Sequence, residues 1–120
     1  DWVLSQLSKG KNILLELDIQ GALQVKEAFQ ETKTIFIIPP SYADLEARLK
    51  LRNQDSMEEI NTRLKEAKRE INIGKNFDQI IVNNNFEEAL YDLKQFIFSG
   101  SRIAKAREEI IKNSLNLLLD

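Results

Sequence analysis

The sequence contains neither cysteine nor histidine among its 120 residues. Without cysteine, disulfides and thiolate metal sites are excluded, and a reducing cytoplasm is the simplest expectation for where the protein works. Without histidine, the commonest general base, the Ser–His–Asp triad and most zinc sites are excluded as well. The chemistry that remains open is that of carboxylates, cationic side chains and amides.

Excess charge and long apolar runs are also lacking. Lysine and arginine number 17 against 19 acidic residues, so the net charge of −2 gives no overall attraction to nucleic acid or anionic membranes. No apolar stretch approaches the roughly 20 residues that span a bilayer, and nothing resembles a signal peptide. We therefore expect no nucleic-acid partner and no membrane partner, and any basic site must be local.

Three short runs are apolar without alternation, namely residues 13–17, 35–38 and 80–82. Such runs are typical of strands that are buried on both faces of a parallel sheet. Helical patterns separate them, so the sequence predicts an α/β fold with a parallel sheet and right-handed crossovers. Because three parallel strands leave faces and edges uncovered, we expect the native domain to contain further strands and helices.

Helix boundaries are marked by polar caps and one glycine. Ser41, Ser56 and Asn85 are predicted N-caps, and Ser56 forms a capping-box pattern with Glu59. Gly74 is predicted to end the helix that Ser56 begins. A last amphipathic helix runs to position 118, and its apolar side could dock on the parent domain or on a second subunit. A homo-oligomer formed through this helix is thus one open possibility.

Asp18 ends the first apolar run, at the edge of a parallel sheet where ligands bind, and Glu16 would share its face of the strand. An acid in this position can hold a metal or its waters near phosphates. It can equally cap the helix that follows, which is the commoner role.

Four arginines lie on two consecutive predicted helices: Arg48, Arg52, Arg63 and Arg69. If the helices pack antiparallel, Arg52 and Arg63 could meet at one opening, where guanidinium groups suit the oxygens of a phosphoryl group. A solvated charged face is the alternative, and surface pairs generally mean little. Asn83 and Asn84 could likewise offer amides to a base or ribose, or serve only as part of a cap.

Taken together, four segments of the sequence resemble guanylate kinases in order and spacing. They are NILLELDIQGALQVK, TIFIIPPS, LEARLKLRNQDSMEEINTRLKEAKREI and FDQIIVNNNFEEALYDLKQFI. The resemblance implies part of a P-loop nucleoside monophosphate kinase fold: a parallel sheet flanked by helices, with a helical lid over about residues 42–75. The guanylate-kinase-like part would cover residues 1–98, and residues 99–120 would form the C-terminal amphipathic helix.

The resemblance also implies site residues, substrates and a cofactor. Arg52 and Arg63 match the lid arginines that stabilise the transferring phosphoryl group, and Asn83 and Asn84 match the contact with the adenine of ATP. Asp18 matches the acidic position near GMP and the metal. ATP and GMP would be the substrates, with Mg²⁺ bound to ATP. Asn84 departs from the family pattern, which usually has Asn-Asp-Asp where this chain has three asparagines.

The sequence contains no G-x-x-x-x-G-K-[ST], the loop that cradles the phosphates of ATP. The GMP-binding segment of the family is not present either, and both precede the matched region in the family pattern. We therefore expect that this chain alone does not catalyse phosphoryl transfer. The alternative function is a guanylate-kinase-like module that binds proteins without catalysis.

Overall fold

A computed structural model describes residues 2–52, 56–99 and 105–119. The chain divides into two compact units, Asp1–Glu31 and Thr32–Asp120. As predicted, the fold is of the α/β class: helices predominate and accompany a small parallel sheet.

The first unit contains two helices, α1 (Trp2–Ser8) and α2 (Ile19–Ala28). α1 has no buried residue. After it, Gly10 adopts the left-handed conformation with φ +77°, which residues with a side chain rarely adopt, and donates its N–H to the carbonyl of Leu7 at 3.0 Å. Residues 11–18 then lead into α2 with no regular secondary structure.

The predicted strand over residues 13–17 is not formed, so this prediction is wrong, and with it the shared strand face of Glu16 and Asp18. Leu14, Leu15 and Leu17 are exposed. An apolar run becomes a strand only where a second strand accepts its hydrogen bonds. In the described part of the chain the sheet consists of two strands, both in the second unit, rather than the three expected.

The second unit contains both strands and the remaining helices. In chain order these are β1 (Ile35–Ile38), α3 (Tyr42–Arg52), α4 (Met57–Gly74), β2 (Gln79–Val82), α5 (Phe86–Lys94) with a π-helical turn (Gln95–Ser99), and α6 (Lys105–Leu119). The strands are parallel, with Ile35 opposite Gln79 and Ile38 opposite Val82. Where they begin, the Thr34 hydroxyl donates to the Asp78 carboxylate at 3.0 Å and accepts from the Asp78 N–H at 3.0 Å.

The three predicted N-caps are confirmed. The Ser41 hydroxyl accepts from the Asp44 N–H at 3.3 Å, and that of Ser56 accepts from the Glu59 N–H at 3.3 Å. Asn85 Oδ1 accepts from the Glu88 N–H at 3.1 Å. Each bond satisfies an N–H that the helix cannot pair internally, which is typically worth about 1 kcal/mol. These caps fix where α3, α4 and α5 begin.

Gly74 is the last residue of α4, as predicted, but it does not have the left-handed conformation of a glycine cap. Among the described residues, a positive φ occurs at Gly10 and not at Gly74. Gly74 therefore does not end the helix by adopting the left-handed conformation. Instead, a Cβ at Gly74 would lie 2.6 Å from the ring of Phe36 on β1. The glycine therefore allows the end of α4 to approach the sheet closely.

The core of this unit lies between the sheet, α4 and α6. Its buried members are Ile38, Ile71, Ile80 and Leu118. Ile111 and Leu115 of α6 pack against the same cluster. The C-terminal helix thus docks on its own domain, and a contact with a second subunit through the same helix stays a prediction. None of the described helices is both long enough and apolar enough to cross a membrane.

Candidate functional site

Asp18 is the N-cap of α2 and lies in the first unit. Its Oδ1 atom accepts the N–H of Gly21 at 2.7 Å, and the residue is exposed. A Cβ at Gly21 would lie 3.0 Å from that same oxygen and 3.3 Å from the Cβ of Leu17. A side chain at Gly21 would thus crowd the cap, which gives a physical reason for the Asp-x-x-Gly spacing that sequence reasoning did not identify.

The two predicted lid arginines, Arg52 and Arg63, lie on helices that pack together, α3 and α4. Arg52 is the last residue of α3, and its side chain and residues 53–55 lie outside the described residues. Arg63 is exposed on α4, as is Arg69. Convergence of Arg52 and Arg63 on one opening therefore stays a prediction.

Arg48 and Asn83 are brought together by the fold. Arg48 Nη2 donates to the backbone carbonyl of Asn83 at 3.2 Å and so links α3 to the end of β2. The Asn83 N–H in turn donates to the carbonyl of Ile38 at 2.8 Å, which extends the pairing of the two strands by one bond. The backbone of Asn83 is thus held from both sides, at the carboxyl end of the sheet where ligands bind in folds of this kind.

Asn84 lines a small cavity with Val82, Glu88 and Arg107 among others. The cavity has a volume of about 20 Å³. That volume suits a single water molecule and is far too small for a purine base. The cavity itself therefore does not hold the base in a contact made by Asn84.

Arg107 on α6 forms ion pairs with two acids of α5. Its Nη1 atom lies 2.6 Å from Glu88 Oε2, and its Nε atom lies 3.3 Å from Asp92 Oδ2. Burial raises the pKa of Asp92, and the positive charge of Arg107 opposes that rise only in part. The hydrogen bond with Glu88 is the main cause of a raised pKa of Arg107. Sequence reasoning missed this cluster because no local spacing relates the two helices.

No group of three or more acidic, histidine or cysteine side chains that could hold a metal ion exists within residues 2–52, 56–99 and 105–119. The described residues thus contain no cage that a protein-bound metal would need. A metal ion held mainly by a nucleotide does not require one, because Mg²⁺ keeps several waters and commonly binds through substrate phosphates and one or two carboxylates.

Comparison with known proteins gives a consistent result. The profile of the family described as guanylate kinase matches residues 3–100. The chain is 44% identical over 117 residues to a guanylate kinase of Psychrobacter arcticus, covering 98% of this chain and 56% of that protein.

Two further guanylate kinases show the same pattern. That of Vibrio parahaemolyticus is 43% identical over 108 residues, covering 90% of this chain and 50% of the relative. That of Hahella chejuensis is 42% identical over 109 residues, covering 91% and 52%. The chain thus spans about half the length of the curated relatives it matches.

Proposed function

The chain belongs to the guanylate kinase family, and we propose that it supplies the lid and the ATP-side segment of an enzyme that transfers a phosphoryl group from ATP to GMP. The observation that carries this proposal is the family match over residues 3–100. Within that region, α3 ends at Arg52, and α4, which packs against α3, presents Arg63 as an exposed residue.

Arg52 and Arg63 are the proposed catalytic residues. Phosphoryl transfer requires little covalent chemistry from the protein, so catalysis depends on positioning and on stabilising the charge of the transferring group. A guanidinium is always protonated and has planar donors that match phosphoryl oxygens in pairs. Two arginines on packed helices can provide this stabilisation once the lid closes, and closure also excludes water.

Asn83 and Asn84 are the proposed contacts with the adenine of ATP. An asparagine side chain has both a donor and an acceptor, which is what the edge of a purine requires. The bonds that Asn83 makes through its backbone to Ile38 and Arg48 fix its position. This arrangement favours a preorganised contact.

Asp18 is proposed to lie near GMP and the metal. The Asp18 carboxylate has oxygens for both roles: Oδ1 accepts from the N–H of Gly21, and the second oxygen can accept from a metal-bound water. One such carboxylate suits Mg²⁺ that arrives with ATP. When bound, Mg²⁺ would neutralise charge on the β- and γ-phosphates.

We further propose that this chain alone is not competent, because the lysine-bearing phosphate loop is not in its sequence. The absence of cysteine favours the cytoplasm as the place of action.

A homo-oligomer through α6 would have to use its outer residues, of which Leu117 is 58% exposed, since Leu118 is buried in the core of the same chain.

The experiment is a comparison of two proteins in a coupled assay of ADP release. One is the chain itself, and the other is a hybrid in which the part of the Psychrobacter arcticus guanylate kinase that precedes the shared region is joined to this chain. We expect GMP-dependent turnover from the hybrid and none from the chain alone. A folded hybrid that binds ATP and GMP without turnover would favour the non-catalytic module. Turnover by the chain alone would refute the proposal that the chain alone is not a competent enzyme.

A further inference from the structure

We propose that Arg107, on the C-terminal helix α6, is a positioning residue that holds Asn84 and the first turn of α5 in place for the contact with ATP. The inference rests on the function proposed above. It assigns a role in substrate binding to a residue beyond the region that the family profile matches, residues 3–100.

The first observation is the two-point attachment of Arg107 to α5. Its Nη1 and Nε atoms contact carboxylates four residues apart, at 2.6 Å for Glu88 and 3.3 Å for Asp92. Residues at this spacing lie on the same face of a helix. The side chains of Arg107 and Asp92 are only 25% and 12% exposed, so solvent screens this pair less than an ordinary surface pair. A rigid guanidinium with two anchors fixes both the position and the rotation of α5.

The second observation links this attachment to Asn84. Glu88 is held through its side chain by Arg107 and through its backbone N–H by Asn85 Oδ1, at 3.1 Å. The Ala89 N–H also donates to the Asn85 carbonyl at 2.9 Å. Asn84 is the next residue back along the chain, and it lines the same cavity of about 20 Å³ as Arg107. Arg107 is therefore a direct neighbour of the segment that is proposed to contact adenine.

Removal of Arg107 would leave Glu88 and Asp92 without the positive charge that they share. The negative charge of Glu88 raises the pKa of Asp92, which means that the two carboxylates repel each other, whereas Arg107 has the opposite effect. Without the guanidinium, the repulsion and the burial of Asp92 are both uncompensated. Asp92 can respond by binding a proton, but Glu88 loses its ion pair with α6, so the first turn of α5 and the adjoining Asn84 lose that attachment.

Replacement of Arg107 need not detach α6. Ile111, Leu115 and Leu118 pack against the core of the sheet, and Leu118 is only 1% exposed. Hydrophobic burial of this kind does not depend on the ion pair. The positioning of Asn84 can thus be separated experimentally from the docking of the helix.

The first test measures steady-state kinetics in the hybrid protein described above. Arg107→Met should raise the KM for ATP roughly tenfold, the ratio that corresponds to the loss of about 1.4 kcal/mol, while the KM for GMP and kcat change little. Arg107→Lys should recover part of the loss, since it restores the charge without the fork. Lys112→Met is the matched control, because Lys112 is an exposed cation of α6 that lines a different groove, and it should behave like the parent.

An unchanged KM for ATP in Arg107→Met would overturn the inference. So would equal effects on ATP and GMP that scale with a lowered melting temperature, because that pattern belongs to a purely structural residue.

The second test needs no activity and uses the chain itself. In Arg107→Met, amide hydrogen exchange should accelerate at Glu88 and Ala89, whose N–H groups bond to Asn85, while the amides of α4 keep the parent rate. Uniform acceleration, or none, would overturn the inference. A hybrid without activity would count against the proposed function. The exchange rates at Glu88 and Ala89 would then be the only test of whether Arg107 stabilises the first turn of α5.

Discussion

Replacing Gly74 with alanine should destabilise the second unit, although alanine is the better helix former. The added Cβ would lie 2.6 Å from both Cδ2 and Cε2 of Phe36 and 2.7 Å from its Cγ. These distances are about 1 Å shorter than the roughly 3.5–4.0 Å at which carbon atoms attract each other best. Either the Phe36 ring or the end of α4 must therefore move.

The ring cannot move without loss, because Phe36 packs edge to face on Phe77 with ring centroids 5.6 Å apart. Such pairs contribute about 0.5–1.5 kcal/mol beyond their buried area. Overpacking typically costs about 1–3 kcal/mol, and the gain in helix propensity from Gly to Ala is at most about 1 kcal/mol. We expect the free energy of unfolding of Gly74→Ala to fall by about 1–2 kcal/mol, since overpacking outweighs propensity.

The assay is urea denaturation followed by circular dichroism, arranged as a double-mutant cycle with Phe36→Leu. In the Phe36→Leu background the alanine should cost at least about 0.5 kcal/mol less, because the ring it strikes is absent. Asn72→Ala, at an exposed position of the same helix, reports propensity alone and should be neutral or slightly stabilising. The reasoning is refuted if Gly74→Ala is as stable as the parent, or if the two substitutions are additive.

Three further predictions concern catalysis, pH and exposed surface. In the active hybrid, Arg52→Ala and Arg63→Ala should each lower kcat by roughly 10²-fold or more, the scale for loss of one electrostatic donor, whereas Arg69→Ala should not. An unchanged kcat with a raised KM for ATP would show binding groups instead. Asp92→Asn should be neutral or slightly stabilising at pH 7, because burial raises the pKa of this carboxyl even beside Arg107 and an amide oxygen can still accept from the Arg107 Nε. The folded state then binds its proton more tightly than the unfolded state, so stability is lost as pH rises through the folded pKa. The benefit of Asn should therefore vanish below the ordinary pKa of an aspartate, and a benefit that grows toward acid pH in urea titrations would contradict this. Finally, the chain alone should bind an apolar dye such as ANS, since Leu14, Leu51 and Phe86 are all at least 75% exposed, and cooperative unfolding without dye binding would count against it.

Local signals in the sequence predicted local structure well. The caps at Ser41, Ser56 and Asn85 depend only on a side-chain oxygen and an N–H three residues on, so the spacing alone identifies them. The strands over residues 35–38 and 80–82 were recognisable from short apolar runs, and β1 and β2 form there. These features need no knowledge of the rest of the chain.

Features that depend on a distant partner were predicted poorly. Residues 13–17 are mostly apolar, as β1 is, but a strand is defined by its hydrogen-bonding neighbour, which composition does not specify. The pairing of Arg107 with Glu88 and Asp92 spans two helices and leaves no periodic trace. The sequence also indicated that Gly74 ends a helix, but the ring that leaves no room for a side chain there belongs to Phe36, on β1.

The packing of α6 shows why a family match and a folding core need not share a boundary. The family profile ends at residue 100, whereas Leu118 is among the most deeply buried side chains of the described residues, at 1% exposed. It packs with Ile38, Ile71 and Ile80, which come from β1, α4 and β2 within the matched region. Removing Leu118 would therefore leave a cavity against both strands and α4, and large-to-small changes of this kind typically cost about 2–5 kcal/mol. Arg107, on the same helix, contacts α5. The helix α6 therefore stabilises both α5, which follows Asn83 and Asn84, and the sheet, whose strand β2 ends just before them. The proposed ATP-side segment thus depends physically on residues that the family profile does not include.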